Sequence, residues 1–170
     1  MSFLSKCIRF AQALVVGGVF ASATAVSAEI LPAVEEPILT IDGSVASAEG
    51  FKLDLASLQN FEPETFETTT IWTEGTLTFT GVPLKVLVEA AGGTGAMVVA
   101  EALNGYAVEI PMEEIEDKAP IVAYFINNET FSRRDKGPLW VVYPYDSDDR
   151  FKTETTYAYS IWQLHRLTVK

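Results

Sequence analysis

The segment Thr76–Leu87 reads TLTFTGVPLKVL and contains a change from one spacing of apolar residues to another. It begins by alternating threonine with apolar side chains, which is the pattern of a strand with one buried face. Gly81-Val82-Pro83 then predicts the start of a helix, because proline is well tolerated in a first helical turn. Leu84 and Leu87 lie one helical turn apart and give that helix an apolar face. The segment therefore predicts a strand that leads directly into a short helix.

Strand patterns recur on both sides of this segment. Asn104-Gly105 separates two of them and is a strong signal for a β-hairpin. Two more short helices are predicted at Leu53–Leu58 and Met112–Asp117. The predicted strands are Ile38–Ile41, Phe66–Trp72, Thr76–Thr80, Met97–Ala102, Tyr106–Ile110, Ile121–Ile126, Leu139–Tyr143 and Ile161–Val169. Many short strands with a few short helices predict an α+β fold with mixed or antiparallel sheets.

Residues 1–28 have the pattern of a secretory signal peptide. Lys6 and Arg9 precede the apolar run Ala13–Ala21, and Val26-Ser27-Ala28 fits a small-residue cleavage site. Cleavage there leaves residues 29–170 as a single domain, which we expect in the periplasm with no direct membrane insertion. The alternative is an uncleaved N-terminal anchor, although the apolar run is short for a membrane span.

The charge balance and the scarcity of metal ligands narrow the expected partners. The chain has 12 Lys and Arg against 23 Asp and Glu, and removal of Lys6 and Arg9 with the signal peptide leaves a net charge of −13. Nucleic acids and anionic membranes require a basic face, so neither is an expected partner. Cys7 precedes the cleavage site and His165 is the single histidine. We therefore expect no metal bound by thiolates or by several histidines.

Five segments resemble, in the same order, segments of the sulfite oxidase molybdopterin-binding domain. They resemble its W-x-G-x-x-F-x-G-V-P-L-x-x-L, G-Y-S-x-x-L-P-L-E, A-Y-x-L-N-G-E and G-G-P-L-R-L-V motifs and its closing strand. In this chain the segments are Trp72–Leu87, Gly105–Glu113, Ala123–Glu129, Lys136–Val142 and Ser160–Leu167. The resemblance extends from about Pro37 to Lys170. It implies a sulfite oxidase-like molybdopterin-binding fold over a single pterin-binding domain.

Two departures from that family concern its cofactor. The catalytic members carry a molybdenum-ligating cysteine a few residues before the equivalent of Trp72, where this chain has Glu67-Thr68-Thr69-Thr70. A threonine hydroxyl does not replace a soft thiolate. The basic residues that hold the cofactor phosphate there also correspond here to Tyr159 and Trp162. The resemblance therefore implies a pterin pocket without the oxidoreductase activity.

The chain resembles the short, cysteine-free, exported members of that fold more closely than the catalytic ones. It shares with them RDKGPLW at Arg134–Trp140, YPYD at Tyr143–Asp146 and SIWQL at Ser160–Leu164. Some of these proteins resemble pterin receptors that act on membrane-anchored enzymes of cyclic di-GMP turnover. The resemblance therefore implies a non-catalytic pterin receptor whose partner is the periplasmic domain of an inner-membrane cyclic di-GMP turnover protein.

The segment Ser132–Asp146, SRRDKGPLWVVYPYD, contains the kinds of group that a pterin requires. A pterin is flat, with an amino group and N3–H as adjacent donors and with O4 and N5 as acceptors. A carboxylate suits the donors, because an ionised carboxylate only accepts hydrogen bonds. Asp146 or Asp135 is the candidate for this role. Arg134 and Lys136 are the candidates that donate to O4, N5 or a side-chain hydroxyl.

Stacking requires a flat ring, and either Trp72 or Tyr145 is the candidate. Thr69, with its two neighbouring threonines, is expected to line the end of the pocket where the family holds its metal. Structural roles remain open for several of these residues. Arg134 fits a solvated loop, and Asp135 fits a turn residue that bonds its own backbone.

Two other functions remain open. One is a molybdopterin-dependent oxidoreductase, or its accessory subunit, with a metal held without cysteine. The other is an adaptor that keeps the fold and binds no ligand. Molybdenum content would separate the enzyme from the receptor, and a co-purified pterin would argue against the adaptor.

Overall fold

The computed structural model describes residues 36–170. The predicted signal peptide and residues 29–35 lie outside the described residues. Within residues 36–170, no helix is both long enough and apolar enough to cross a membrane.

The first sheet has five strands and includes the last strand of the chain. Its strands are β1 (Leu39–Gly43), β2 (Phe51–Leu53), β5 (Met97–Ala102), β6 (Ala107–Pro111) and β9 (Leu164–Val169), in the order β2-β1-β9-β5-β6. β1 and β9 are parallel, and the other neighbours are antiparallel. The sheet is therefore mixed, with β9 in its centre.

The second sheet has four antiparallel strands. They are β3 (Glu64–Thr69), β4 (Thr76–Pro83), β7 (Ile121–Ile126) and β8 (Trp140–Val142), in the order β3-β4-β7-β8. Trp140 forms an isolated bridge with Trp162, and Val141 N–H donates to Ile161 O at 2.8 Å. These contacts place the edge strand β8 beside the residues that lead into β9.

Three short helices connect the strands: α1 (Leu55–Gln59), α2 (Leu84–Ala90) and α3 (Glu154–Tyr159). Asp54 caps α1 by accepting from Ser57 N–H at 2.7 Å, and Thr153 caps α3 by accepting from Thr156 N–H at 3.1 Å. Each cap satisfies a backbone donor that a helix start leaves free. These side chains thus fix where both helices begin.

The core consists of the inward faces of both sheets together with α2. Phe79 and Trp140 are both fully buried, and their rings meet edge to face at 5.5 Å. Burying an aromatic ring of this size contributes several kcal/mol, roughly 25 cal/mol per Å² of apolar surface. The predicted α+β fold is confirmed, with one mixed and one antiparallel sheet.

The predicted bounds of β5 and β7 are confirmed, and so is the hairpin at Asn104-Gly105. The helix predicted to open at Gly81-Val82-Pro83 is confirmed as α2, with Pro83 as its N-cap and Leu84, Leu87 and Val88 buried. The predicted end of the preceding strand at Thr80 was wrong, because Val82 and Pro83 still pair with β7 and are buried. Helix α2 begins one residue later, where Leu84 N–H donates to Pro120 O at 2.9 Å. The strand therefore leads directly into the helix, as the sequence predicts.

Three further elements differ from the prediction. Strand β2 was missed because it has only three residues and its sequence leads directly into α1. Helix α3 was missed because its sequence, ETTYAY, is rich in β-branched and aromatic residues with weak helix propensity. The predicted acidic helix at Met112–Asp117 is only a 3-10 turn over Met112–Glu114.

Gly81 yields a test of the β4–β7 contact. A Cβ atom at this position would lie 2.2 Å from Val122 O and 2.5 Å from Ala123 Cα, which are backbone atoms. We expect Gly81→Ala to lower the free energy of unfolding by about 2 to 3 kcal/mol, because the strands must separate to admit the methyl group. Urea denaturation measures this loss.

Gly75→Ala is the control for that experiment. Gly75 has a φ of +69°, but no heavy atom lies within 4 Å of a Cβ built there. Its substitution should therefore cost only the left-handed strain of about 1 kcal/mol. Equal losses in the two variants would show that the close approach of β4 and β7 is not the cause.

Candidate functional site

A cleft of about 350 Å³ opens beside Trp72. Its walls come from the loop after β3, the tip of the β5–β6 hairpin, the end of α3 and the residues that precede β9. The lining residues are Trp72, Ala102, Asn104, Tyr106, Tyr157, Ala158, Ser160, Ile161 and Trp162. The cleft is thus aromatic with a few polar groups, which is the usual composition of a small-molecule site.

Trp72 lies at the centre of an aromatic cluster. The centroid of its ring is 5.6 Å from that of Trp162, 5.8 Å from Tyr157, 6.0 Å from Trp140 and 6.3 Å from Tyr145. Three of these contacts are edge to face, the arrangement that aromatic quadrupoles favour. The structure therefore places the candidate Trp72 in the cleft wall, with its ring held on several sides.

Tyr145, the other stacking candidate, lies behind the cleft wall and is 1% exposed. Its hydroxyl is hydrogen-bonded to Ser160 Oγ, which itself donates to Thr156 O at 3.1 Å. Since a serine hydroxyl has one proton, Tyr145 is the donor in the first bond. Burial raises the pKa of Tyr145. Tyr145 is therefore a neutral support beneath Tyr157, whose ring lies 5.0 Å away.

Asp146 and Thr69 lie together, but neither is among the residues that line the cleft. Asp146 Oδ2 accepts from Thr69 N–H at 2.6 Å and from Thr69 Oγ1 at 2.8 Å. Asp146 N–H donates to buried Thr68 Oγ1 at 3.1 Å. These bonds fasten the end of β3 to the 3-10 turn at Tyr145–Ser147. One carboxylate oxygen is thus engaged, while Oδ1 has Lys152 Nζ at 3.5 Å.

Arg134 and Asp135 lie on an exposed 3-10 turn, Arg133–Asp135, outside the cleft lining. Asp135 accepts from Ser132 Oγ at 2.7 Å, and the same Ser132 oxygen accepts from Arg134 N–H at 3.2 Å. These contacts match the alternative role of Asp135 as a turn residue. Among the described residues, the Arg134 side chain forms no salt bridge with a carboxylate.

Lys136 is nearer to the cleft than the two residues that precede it. It is half-buried and has a φ of +75°, which ends the 3-10 turn. Its Nζ lies 5.8 Å from the ring centroid of Trp162 and 5.9 Å from that of Trp140. A cation at this distance is attracted to the π face of an indole. The Lys136 ammonium group therefore contacts the ring of Trp162, which lines the cleft.

Several lining residues were absent from the sequence-predicted site. Tyr157 belongs to α3, and that helix was itself missed. Tyr106 and Asn104 flank the predicted hairpin turn, and an exposed aromatic ring beside such a turn was an available signal. Asn104 Oδ1 accepts from Tyr106 N–H at 2.9 Å, and its amide N–H₂ group takes no part in this bond.

The donor set does not fit a molybdenum ion held by protein sulfur. The residues before Trp72 supply the Glu67 carboxylate and threonine hydroxyls but no thiolate, and Thr69 already donates to Asp146. Across residues 36–170, no three His, Cys, Asp or Glu side chains are grouped to hold a metal ion. The aromatic lining, in contrast, fits a flat heterocycle.

The chain belongs to the oxidoreductase molybdopterin-binding domain family. The family model matches residues 30–146, which is well over half of the 170-residue chain. The predicted relation to the sulfite oxidase-type domain is thereby confirmed. A search of curated proteins returned no match.

Solved structures include similar folds. One is the sulfane dehydrogenase SoxCD from Paracoccus pantotrophus, with a TM-score of 0.58 and 22% sequence identity. The match covers 77% of this chain and 37% of the SoxCD chain. This chain therefore corresponds to little more than a third of that protein, and the likeness establishes the fold.

The bond between Asp146 and Thr69 predicts an acid-sensitive contribution to stability. The hydrogen bonds from Thr69 N–H and its hydroxyl hold the pKa of Asp146 below its usual value. Such a carboxylate stabilises the fold above its unfolded pKa of about 3.9, and the contribution is lost as the pH falls through the folded pKa. We expect Asp146→Asn to lower the midpoint of thermal unfolding at pH 7, and the difference from wild type to shrink between pH 5 and pH 2.

Asp149→Asn is the matched control, since the Asp149 side chain is fully exposed and its one ion pair within residues 36–170 is with Lys152 Nζ at 3.7 Å. It should change the midpoint little at any pH. A deficit of Asp146→Asn that stays constant from pH 7 to pH 2 would contradict the role of the ionised carboxylate.

Proposed function

We propose that this chain is a non-catalytic pterin receptor that works in the periplasm. The observation that carries the proposal is the cleft, in which Trp72, Tyr106, Tyr157 and Trp162 all contribute to the lining. Flat heterocycles are bound by rings that stack on or enclose them, and several rings around one cleft provide this. Family membership supports the same class of ligand, because the family is described as molybdopterin-binding.

The polar groups around the cleft suit the edges of a pterin. The Asn104 amide can donate to O4 or N5, since its oxygen is already engaged. Asp146 Oδ1 remains the candidate acceptor for the amino edge of the ligand. Asp146 lies outside the cleft lining, so we assign it this role only for a ligand that extends beyond Trp72.

The proposal includes a partner. By resemblance to cysteine-free exported members of the fold, we infer that the receptor acts on the periplasmic domain of an inner-membrane cyclic di-GMP turnover protein. Such regulation requires that the pterin-bound and pterin-free states differ in affinity for that domain. Titration of the purified domain with the receptor, with and without pterin, measures this difference directly. Equal affinities of the partner domain for the two states would refute the proposed regulation but not the proposed pterin binding.

A molybdopterin-dependent oxidoreductase is the second candidate, and the family match is the observation in its favour. The two candidates differ in metal content. Stoichiometric molybdenum in the purified native protein would support the oxidoreductase, and a metal-free pterin complex would support the receptor.

The stacking role of Trp72 yields the main test. We expect wild-type protein to bind neopterin or 7,8-dihydroneopterin in anaerobic calorimetry, and Trp72→Ala to weaken binding about tenfold or more. The reason is that stacking on an aromatic side chain contributes about 1 to 3 kcal/mol for a flat base. Urea denaturation of the variant checks that the fold is retained.

Tyr106→Ala is a second variant with little risk to the core, because Tyr106 is 57% exposed while still lining the cleft. It should weaken binding by about threefold or more, in line with one partial aromatic contact. Lys52→Ala, an exposed residue outside the lining, is the control and should bind like wild type. Folded wild-type protein that binds neither pterin would refute the proposal.

A further inference from the structure

The cations without ion pairs are concentrated on one loop. Residues 36–170 contain ten Lys and Arg and 21 Asp and Glu, since Glu29 and Glu35 precede this range. Six of the ten cations lie within 4 Å of a carboxylate, namely Lys85, Lys118, Arg150, Lys152, Arg166 and Lys170. The other four are Lys52, Arg133, Arg134 and Lys136. Three of these four thus lie within four consecutive residues.

This loop remains unpaired although carboxylates are abundant. Its own carboxylate, Asp135, accepts from Ser132 and makes no ion pair with the neighbouring arginines. Gln163 binds the loop through its backbone, with Nε2 donating to Arg133 O at 2.8 Å and its N–H donating to Lys136 O at 3.0 Å. The backbone is therefore held next to Trp162, while the guanidinium groups of Arg133 and Arg134 stay exposed.

The exposed large apolar residues belong to the chain segments that form the walls of the same cleft. In the described part of the chain, the large hydrophobic residues that are exposed are Ile71, Leu103 and Tyr106, at 64%, 40% and 57%. Ile71 directly precedes Trp72, and Leu103 lies between two lining residues, Ala102 and Asn104. Single exposed apolar residues are ordinary, but all three here belong to two wall segments of the cleft, the loop after β3 and the tip of the β5–β6 hairpin.

We propose that the rim of the cleft is a docking surface for an acidic segment of a partner protein. The surface consists of Ile71, Leu103 and Tyr106 with the cation loop Arg133–Lys136. Apolar side chains of the partner would cover the first three residues, and its carboxylates would pair with the cations. Lys136 joins the two parts, because its Nζ stands 5.8 Å from the ring centroid of Trp162 in the cleft wall.

Charge favours a protein as the occupant. An anionic membrane or a nucleic acid presents negative charge over a wide area, and most of this acidic chain would be repelled by it. A protein segment can place a few carboxylates at the cation loop alone, where complementary charge steers the encounter and selects the partner. The docking surface has a regulatory role only if the proposed receptor function holds. A partner bound to this rim would then also contact a ligand in the cleft.

Site-specific photocrosslinking in the native host tests this surface. Ile71, and separately Leu103, is replaced by the photoreactive amino acid p-benzoylphenylalanine in the full chain, with Lys52 replaced likewise as the control position. We expect one major adduct from positions 71 and 103 and none from position 52. Mass spectrometry of the adduct should identify a peptide of another protein that carries Asp or Glu residues.

Charge reversal supplies the decisive comparison. Arg133→Glu and Lys52→Glu each reverse one exposed cation that makes no ion pair, and the Arg133 backbone contact with Gln163 does not need its side chain. We expect Arg133→Glu to lower the adduct yield about fivefold or more, because charges at an interface rim control the rate of association. Lys52→Glu should leave the yield unchanged.

Several results would overturn the docking surface. They are an adduct with a second copy of this chain, an adduct with lipid, no adduct at position 71 or 103, or equal losses from both charge reversals. Pterin binding by purified Arg133→Glu is measured in parallel and should stay within about twofold of wild type. A wild-type protein that forms the adduct but binds no pterin would refute the receptor function and leave the docking surface standing.

Discussion

The packing of Trp72 against other aromatic rings is the contact on which the candidate site depends. Its four ring neighbours belong to β8, to the turn at residues 145–147, to α3 and to the residues before β9. Aromatic pairs of this kind contribute about 0.5 to 1.5 kcal/mol each beyond the area they bury. Because a single indole connects these separate parts of the chain, it fixes both the position and the composition of the cleft.

A small polar network supports that aromatic cluster from below. Tyr145 donates to Ser160, and Ser160 donates to the carbonyl of Thr156, so each buried hydroxyl in the chain of bonds has a partner. Because burial raises the pKa of Tyr145, the phenol stays neutral and these bonds do not change with physiological pH. The end of α3 is therefore attached to the turn at Tyr145–Ser147 without any buried charge, which would be costly at this depth.

The fold could be predicted from the sequence where local pattern and pairing agree. Met97–Ala102 and Ile121–Ile126 alternate or cluster apolar residues and become β5 and β7 with the predicted bounds. At Gly81–Pro83 the local pattern correctly indicated helix α2, whereas pairing with β7 extended β4 beyond the predicted end at Thr80. Sequence patterns within a short window do not report which distant strand will pair with it.

The site was predictable only in part, for a related reason. Trp72 was identified from its motif, and Thr69 and Asp146 do lie together. Their proximity joins β3 to a turn far along the chain, which spacing alone does not reveal. Tyr157 was missed because its helix has weak intrinsic propensity and depends on the Thr153 cap and on tertiary packing. Residues that line the cleft from poorly predicted elements are therefore found only from the fold.

The residues before Trp72 explain why rings and not a metal would dominate recognition in this cleft. Where the catalytic relatives are expected to have a soft thiolate, Thr68 and Thr69 present hydroxyl groups that are already hydrogen-bonded to Asp146. A metal at this position would have to compete with those donors for the same carboxylate oxygen, and hydroxyls are poor ligands for a thiophilic ion. The Thr69–Asp146 contact thus joins the end of β3 to the turn at Tyr145–Ser147 with ordinary protein hydrogen bonds. What is left for a ligand is the aromatic wall, together with the Asn104 amide and the Lys136 ammonium near Trp162.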